Sequence, residues 1–418
     1  MLERETLPDG LTLLFEDVPG VRSVSIGVWL RIGSCHEPER LSGICHFIEH
    51  LVFKGTKTRT ARDINLLTDR IGGNVDAFTS KEETCFYARV LDDHLPLAVD
   101  LLADIVRAPR FDAEELERER KVILEEIRMV LDSPEERIYD LFCEEFWPGH
   151  PLGRPVQGTA GTVAAMSRRT VQNWFRKAYV PGNILVAAAG NLRPEARDLI
   201  RGAFAALPPG TRPQNRRSPR WQSGVRVEHR REMEQLHLLA GLPALPSGHP
   251  DRFTLHLLNT ILGGSISSRL FRRIREERGL AYSVSSQVHT HRGAGLLTVY
   301  AGTSPENARE VLQLALGELR DLARRAPARE ELDVARDHLK GNLLLALEST
   351  SSRMSRAARE EIVLGRSVGN EEIVAELDKV DPDAVRGLAE RIVAGAKPAL
   401  AAVGRATRLK LREEDLVA

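Results

Sequence analysis

The chain has 418 residues, 42% of them hydrophobic and 28% charged, with Lys+Arg and Asp+Glu both at 59. That length accommodates two or more domains, and the composition is that of a soluble globular protein. A formal net charge of zero gives no electrostatic reason to expect nucleic acid or an anionic membrane as a partner.

No apolar run approaches the roughly 20 residues of a transmembrane helix. The opening stretch M-L-E-R-E-T-L-P-D-G-L has no basic region followed by an apolar one, so no secretory signal is expected. Cys35, Cys45, Cys85 and Cys143 form no C-x-x-C pair, which argues against a disulfide scaffold and makes the cytoplasm the expected compartment.

In chain order, residues 2–18 read as a hairpin turning at Asp9-Gly10. Alternating S-V-S-I-G-V-W-L-R-I makes 21–32 a strand, and an apolar helix over 43–55 ends at Gly55. A helix over 61–71 stops at Gly72-Gly73, strands follow at 74–80 and 84–91, and an amphipathic helix covers 95–106. A long helix spans 112–131, with Asp112 as N-cap and Glu115 three residues on. Further helices are expected at 133–146, 168–179 and 194–207, with a buried strand at 183–189.

The stretch 209–224, rich in Pro, Gly and Arg, has no periodicity and reads as a solvated linker. Beyond it the order of elements repeats. A strand over 225–242 leads to helices at 253–262 and 267–278, then strands at 281–289 and 295–301. Helices follow at 305–324, 329–347, 352–364 and 382–394, and the last strand is 398–403. Glu114-Glu115-Leu116 and Glu330-Glu331-Leu332 open equivalent helices 216 residues apart. The expected fold is therefore α+β: two homologous α/β-sandwich halves, 1–208 and 225–418, each a mostly antiparallel sheet flanked by helices and related by duplication.

The chemistry concentrates in the helix over 43–55, G-I-C-H-F-I-E-H-L-V-F-K-G. Residues four apart share a helix face, so His46 and His50 lie side by side, with Glu49 next to them. Three polar side chains on an otherwise apolar helix need a partner. Zinc accepts imidazole nitrogen and carboxylate oxygen, and H-x-x-E-H is the inverzincin order. A third ligand is required. On the helix over 112–131, Glu119 and Glu126 are aligned on the side of Val122, Ile123 and Ile127, whereas Glu125 turns away. This reading assigns Glu126 as ligand and Glu119 as the carboxylate that orients a histidine or the attacking water. The alternative is that both simply pair with Arg118, Arg120 or Lys121.

H-F-I-E-H together with E-R-K-V-I-L-E-E-I at 119–127 resembles the pitrilysin and mitochondrial-processing-peptidase-like zinc metallopeptidases, over nearly the whole length. Glu126 lies 76 residues past His50, as the third ligand does in that family. V-D-A-F-T resembles the family's N-A-x-T strand, whose free edge binds substrate, with Asp76 where many members have Asn. The resemblance assigns Asn74, Asp76, Ala77, Phe78 and Thr79 to substrate binding. It also picks out Arg275 and Tyr282, seven apart, as second-half residues acting on the substrate.

What the resemblance implies is a zinc metalloendopeptidase with one Zn2+ per chain. Glu49 would act as general base, with Tyr282 and Arg275 at the oxyanion. The substrate would be an unfolded peptide bound as an added strand in an enclosed chamber. A homodimer is the expected assembly, with a heterodimer with a related subunit as the alternative. At the 216 offset Glu119 falls on Ala335 and Glu126 on Asn342, so the second half is expected to hold no metal. The competing function is that of a non-catalytic structural or partner subunit.

Overall fold

The structure, a computed structural model, describes residues 2–205, 207–208, 210, 218–406 and 411–416. Half of the expected linker, 209 and 211–217, lies outside the described residues. The strands are β1 (Leu2–Thr6), β2 (Thr12–Asp17), β3 (Ser23–Leu30), β4 (Asn74–Thr79), β5 (Thr84–Leu91) and β6 (Ile184–Gly190), then β7 (Gly224–His229), β8 (Leu236–Ala244), β9 (Ala281–Thr290), β10 (Gly295–Thr303) and β11 (Ala399–Gly404). The helices of the first half are α1 (Ile44–Val52), α2 (Ala61–Ile71), α3 (Leu95–Arg107), α4 (Ala113–Asp132), α5 (Pro134–Phe146), α6 (Ala160–Ala165), α7 (Arg168–Ala178) and α8 (Ala196–Phe204). Those of the second are α9 (Arg252–Leu262), α10 (Ala308–Arg324), α11 (Arg329–Ala346), α12 (Thr350–Leu364), α13 (Asn370–Lys379) and α14 (Pro382–Gly395). No described helix is long and apolar enough to cross a membrane.

These elements form two compact units: Met1–Arg128 with Arg154–Asn215 and Leu345–Ser367, and Met129–Gly153 with Arg216–Leu344 and Val368–Ala418. The first holds a sheet ordered β1-β2-β6-β3-β5-β4, the second a sheet ordered β7-β11-β8-β10-β9. With β1 set aside, the two orders match strand for strand. The pairs β2/β6 and β7/β11 are parallel and the remaining pairs antiparallel. This is the duplicated α+β architecture anticipated from the order of elements.

One face of the first sheet packs Val24, Ile26, Val28, Phe86 and Ala88 against α1, α3, α7 and α8. Its other face, Leu14, Trp29, Cys85, Leu185 and Ala187, is covered by Met354, Ala357, Ala358 and Ile362 of α12. In the second unit α5 packs on β8 and β11. Each unit thus takes one helix from the other half of the sequence, and α5 and α12 start 216 residues apart. A division of the chain at 208 and 225 does not separate these exchanged helices. Glycine permits the close approach in both units. A Cβ on Gly27 of β3 would sit 2.7 Å from Met354 Sδ, and one on Gly241 of β8 would sit 2.6 Å from Phe142 Cζ.

Three local expectations change. The expected strand over 225–242 is two strands, because β7 runs parallel to β11 and β8 antiparallel, and the polar run Arg230–Gln235 makes the reversal. The helix expected over 267–278 is a π-helix across Phe271–Glu276. Helices α6 and α13 occupy stretches where no element was expected.

Candidate metal centre

Helix α1 buries Ile44, Phe47, Ile48, Leu51 and Val52 and leaves His46, Glu49 and His50 on its half-exposed side. Its start is fixed by backbone and by one acid. Gly43 has φ +94°, and a Cβ there would lie 2.4 Å from Gln157 O. The Glu37 carboxylate, 3% exposed, accepts the Gly43 N–H at 2.7 Å and the Cys45 N–H at 2.8 Å, capping the helix from six residues upstream. Burial pushes the Glu37 carboxyl up to about 7, against the opposing pull of those two N–H groups and the Arg154 charge.

Helix α4 buries Leu116, Ile123 and Ile127, which turns Glu119 inward at 6% exposed and Glu126 to its margin. Val122, expected on the inward side, is 43% exposed. The arginines of α4 itself do not take these two acids: Arg118 pairs with Glu115, Arg120 with Glu117 and Arg128 with Glu125.

Glu126 Oε2 lies 3.5 Å from His50 Nε2 and 3.8 Å from His46 Nε2. The two imidazole centroids are 4.7 Å apart, and all three donor atoms fall within 4.8 Å of one another. Ligand atoms set tetrahedrally at zinc distances stand roughly 3.3 Å apart, so the spacing is that of donors around an ion. The donor set, two imidazole nitrogens and one carboxylate oxygen, fits zinc and leaves one coordination position for water. Among the described residues this is the one cluster of three or more such donors.

The supporting side chains tune this set. Glu119 Oε2 accepts from His50 Nδ1 at 3.1 Å, and Lys54 Nζ sits 3.0 Å from Glu119 Oε1. That bond fixes the His50 tautomer and leaves Nε2 facing Glu126. Burial raises the Glu119 carboxyl, but His50 and Lys54 outweigh it and the net shift is down. Burial lowers His50, while Glu119, Glu126 and Glu49 raise it, for a net shift up. His46 is brought down to about 4 by burial and by the His50 charge, so it is a neutral ligand at ordinary pH. Its Nδ1 is buried with no hydrogen-bond partner, so the two histidines are braced unequally.

Glu49 is raised by burial, against the Thr79 hydrogen bond and the His50 charge, with Asp76 and Glu126 adding to the rise. Thr79 Oγ1, at the end of β4, donates to Glu49 Oε2 at 2.5 Å. Asn74, Asp76, Ala77 and Phe78 share that strand, which is an edge of its sheet.

In the second unit, Arg275 stacks over Tyr282 at 5.2 Å and over Phe271 at 4.8 Å, with Tyr282 78% exposed. Sequence reasoning missed Glu37 and Lys54. Lys54 follows His50 by four residues and was detectable on that ground; Glu37 acts across a loop and left no periodic signal.

Residues 12–160 match the family model "Insulinase (Peptidase family M16)", and 165–339 match "Peptidase M16 inactive domain". An uncharacterized zinc protease of Bacillus subtilis, YmxG, is 38% identical over 94% of this chain and 96% of its own length. The chain belongs to peptidase family M16. Uncharacterized zinc proteases of Streptomyces coelicolor and Mycobacterium tuberculosis are similar at 40% and 41% identity, over 96% and 93% of this chain and 89% and 90% of their own. The M16 fold is matched by a peptidase M16 inactive domain from Pseudomonas fluorescens, with a TM-score of 0.91 at 20% identity over 98% of this chain and all of that one. A protease from Helicobacter pylori matches with a TM-score of 0.90 at 22% identity over 96% and 99%. His46, Glu49, His50, Glu119 and Glu126 all fall in the first M16 segment, and Arg275 and Tyr282 in the segment described as inactive.

Proposed function

We propose that this M16 chain is a zinc-dependent endopeptidase acting on unfolded peptides. The observation that carries the reading is the convergence of His46, His50 and Glu126 within 4.8 Å, with Glu49 one residue before His50 on the same helix. His46, His50 and Glu126 would hold one zinc ion per chain, and that ion would supply Lewis acidity toward a peptide carbonyl and toward the attacking water. Glu49 takes the proton of the attacking water. Because Thr79 holds Oε2, Oε1 is the oxygen left for that task, and Glu49 then delivers the proton to the leaving amine. Glu119 keeps His50 in the ligating tautomer, with Lys54 compensating its buried charge.

The substrate adds as a strand to the free edge of β4 through Asn74, Asp76, Ala77, Phe78 and Thr79. Main-chain pairing of this kind reads backbone more than side chains and requires an unfolded segment. Tyr282 and Arg275 stabilise the oxyanion. Enclosure of the substrate in a chamber and a homodimeric assembly belong to the same proposal and rest on the family resemblance.

The test is zinc content together with hydrolysis of a quenched peptide before and after chelation. The expected result is one zinc per chain and turnover that is lost on chelation and restored by zinc. Purified, zinc-loaded protein that cleaves no peptide would end the proposal. Light scattering of the same sample tests the homodimer.

A further inference from the structure

Strand β4 is bonded only to β5, so one side of its backbone is free. The Ala77 N–H does not enter the ladder: it donates to Asp76 Oδ1 at 2.8 Å. Antiparallel strands alternate, so Val75, Ala77 and Thr79 turn their N–H and C=O groups to the free side, and Asn74, Asp76 and Phe78 turn theirs to β5. Side chains alternate as well. Thr79 lies on the Glu49 side, and Asp76 lies on the opposite face beside its cross-strand partner Tyr87, whose hydroxyl donates to Asp76 Oδ2 at 3.4 Å. The middle donor of the docking edge is therefore already held by an exposed acid. No lysine or arginine among the described residues forms an ion pair with that acid.

We infer that Asp76 makes the edge of β4 select substrates that carry a positive charge at the residue paired opposite it. This rests on the peptidase reading above and deepens it. A neutral or acidic strand must displace the carboxylate from the Ala77 N–H with nothing offered in return. A lysine or arginine directly across draws the carboxylate to itself and releases the Ala77 N–H for the substrate carbonyl. Opposite charges facing each other across strands stabilise pairing, and like charges weaken it. The selection is confined to one position. Two residues on, the same face is formed by Phe78, with the Arg359 guanidinium 5.9 Å from its ring centroid and bridged to Glu83 at 3.1 Å.

The experiment uses the zinc-loaded full chain and quenched peptides in which one residue near the scissile bond is varied through Arg, norleucine and Glu, position by position. In the wild type, one position favours Arg over Glu about three- to tenfold in kcat/KM. Asp76→Asn abolishes the preference at that position alone, and Asp76→Lys inverts it. Wild-type cleavage without charge preference at any position, or a preference untouched by both variants, overturns the inference and leaves the peptidase reading standing. A zinc-loaded protein that cleaves none of the peptides overturns both.

Discussion

Helices α1 and α9 follow equivalent strands in sheets of matching order, yet of the two only α1 contributes to the cluster of possible metal donors. Both bury a continuous apolar face: Ile44, Phe47, Ile48, Leu51 and Val52 in one, Leu255, Leu257, Leu258, Ile261 and Leu262 in the other. What α9 offers instead of two imidazoles and a carboxylate is the single, exposed His256. The companion helices differ in the same way. At the 216 offset, the positions of Glu119 and Glu126 are taken on α11 by Ala335, which is buried, and Asn342, which donates to His338 Nε2 at 3.0 Å. The scaffold needs only the apolar stripe, which tolerates many sequences. The centre needs four or five polar side chains that support one another, because a carboxylate buried like Glu119 is costly unless neighbours compensate its charge. Once the metal donors are absent, nothing retains Glu119 or Lys54, and the second half has neither.

The comparison can be broken first where it is largest. Glu49→Gln should lower turnover about 10²- to 10⁴-fold, the usual worth of a positioned base, while metal analysis still finds the zinc. His256→Gln should change neither quantity, and a loss of zinc from that variant would refute the assignment of the metal to the first half. Next comes the brace on His50. Glu119→Gln should weaken zinc affinity about 10- to 100-fold, measured by competition with a chromophoric chelator, and Ala335→Glu on α11 should create no second site.

The exchanged helices sharpen the resemblance between the halves. Gly27→Ala and Gly241→Ala should each cost about 1–3 kcal/mol in denaturant melts, since each Cβ meets a side chain of the borrowed helix.

The smallest effect is on acid stability. Partial desolvation lowers His256, helped by the Arg252 charge, and desolvation lowers His289 as well. A histidine depressed in the folded state binds its proton more readily when unfolded. These residues therefore leave stability intact above about 6.5 and erode it as pH falls below that value. Melting temperatures at falling pH should decline less steeply in a His256→Gln, His289→Gln double variant.

Much of this was legible in the sequence because it is periodic. Alternation marked β3, and spacing of four marked His46 and His50. Glu126 was found by its alignment on α4 and its distance from His50. The reversal between β7 and β8 was hidden because Arg230–Gln235 joins two apolar runs that read as one. The π-turn at Phe271–Glu276 was hidden because its composition is that of any charged helix. The destinations of α5 and α12 were hidden for a plainer reason: an amphipathic stripe says that a helix is buried, not against which sheet. Glu37 and the Thr79–Glu49 bond belong to loops and strand ends, where contact depends on the folded path alone.

The reciprocal loan of α5 and α12 has a consequence for anyone dissecting the molecule. A gene cut near codon 208 would encode two pieces, each carrying a lid made for its counterpart and lacking its own. In the first piece Trp29, Leu185 and Ala187 would face water. Such fragments should stay in solution only when produced together, so this duplicated protein can no longer be taken apart into two copies of the half it came from.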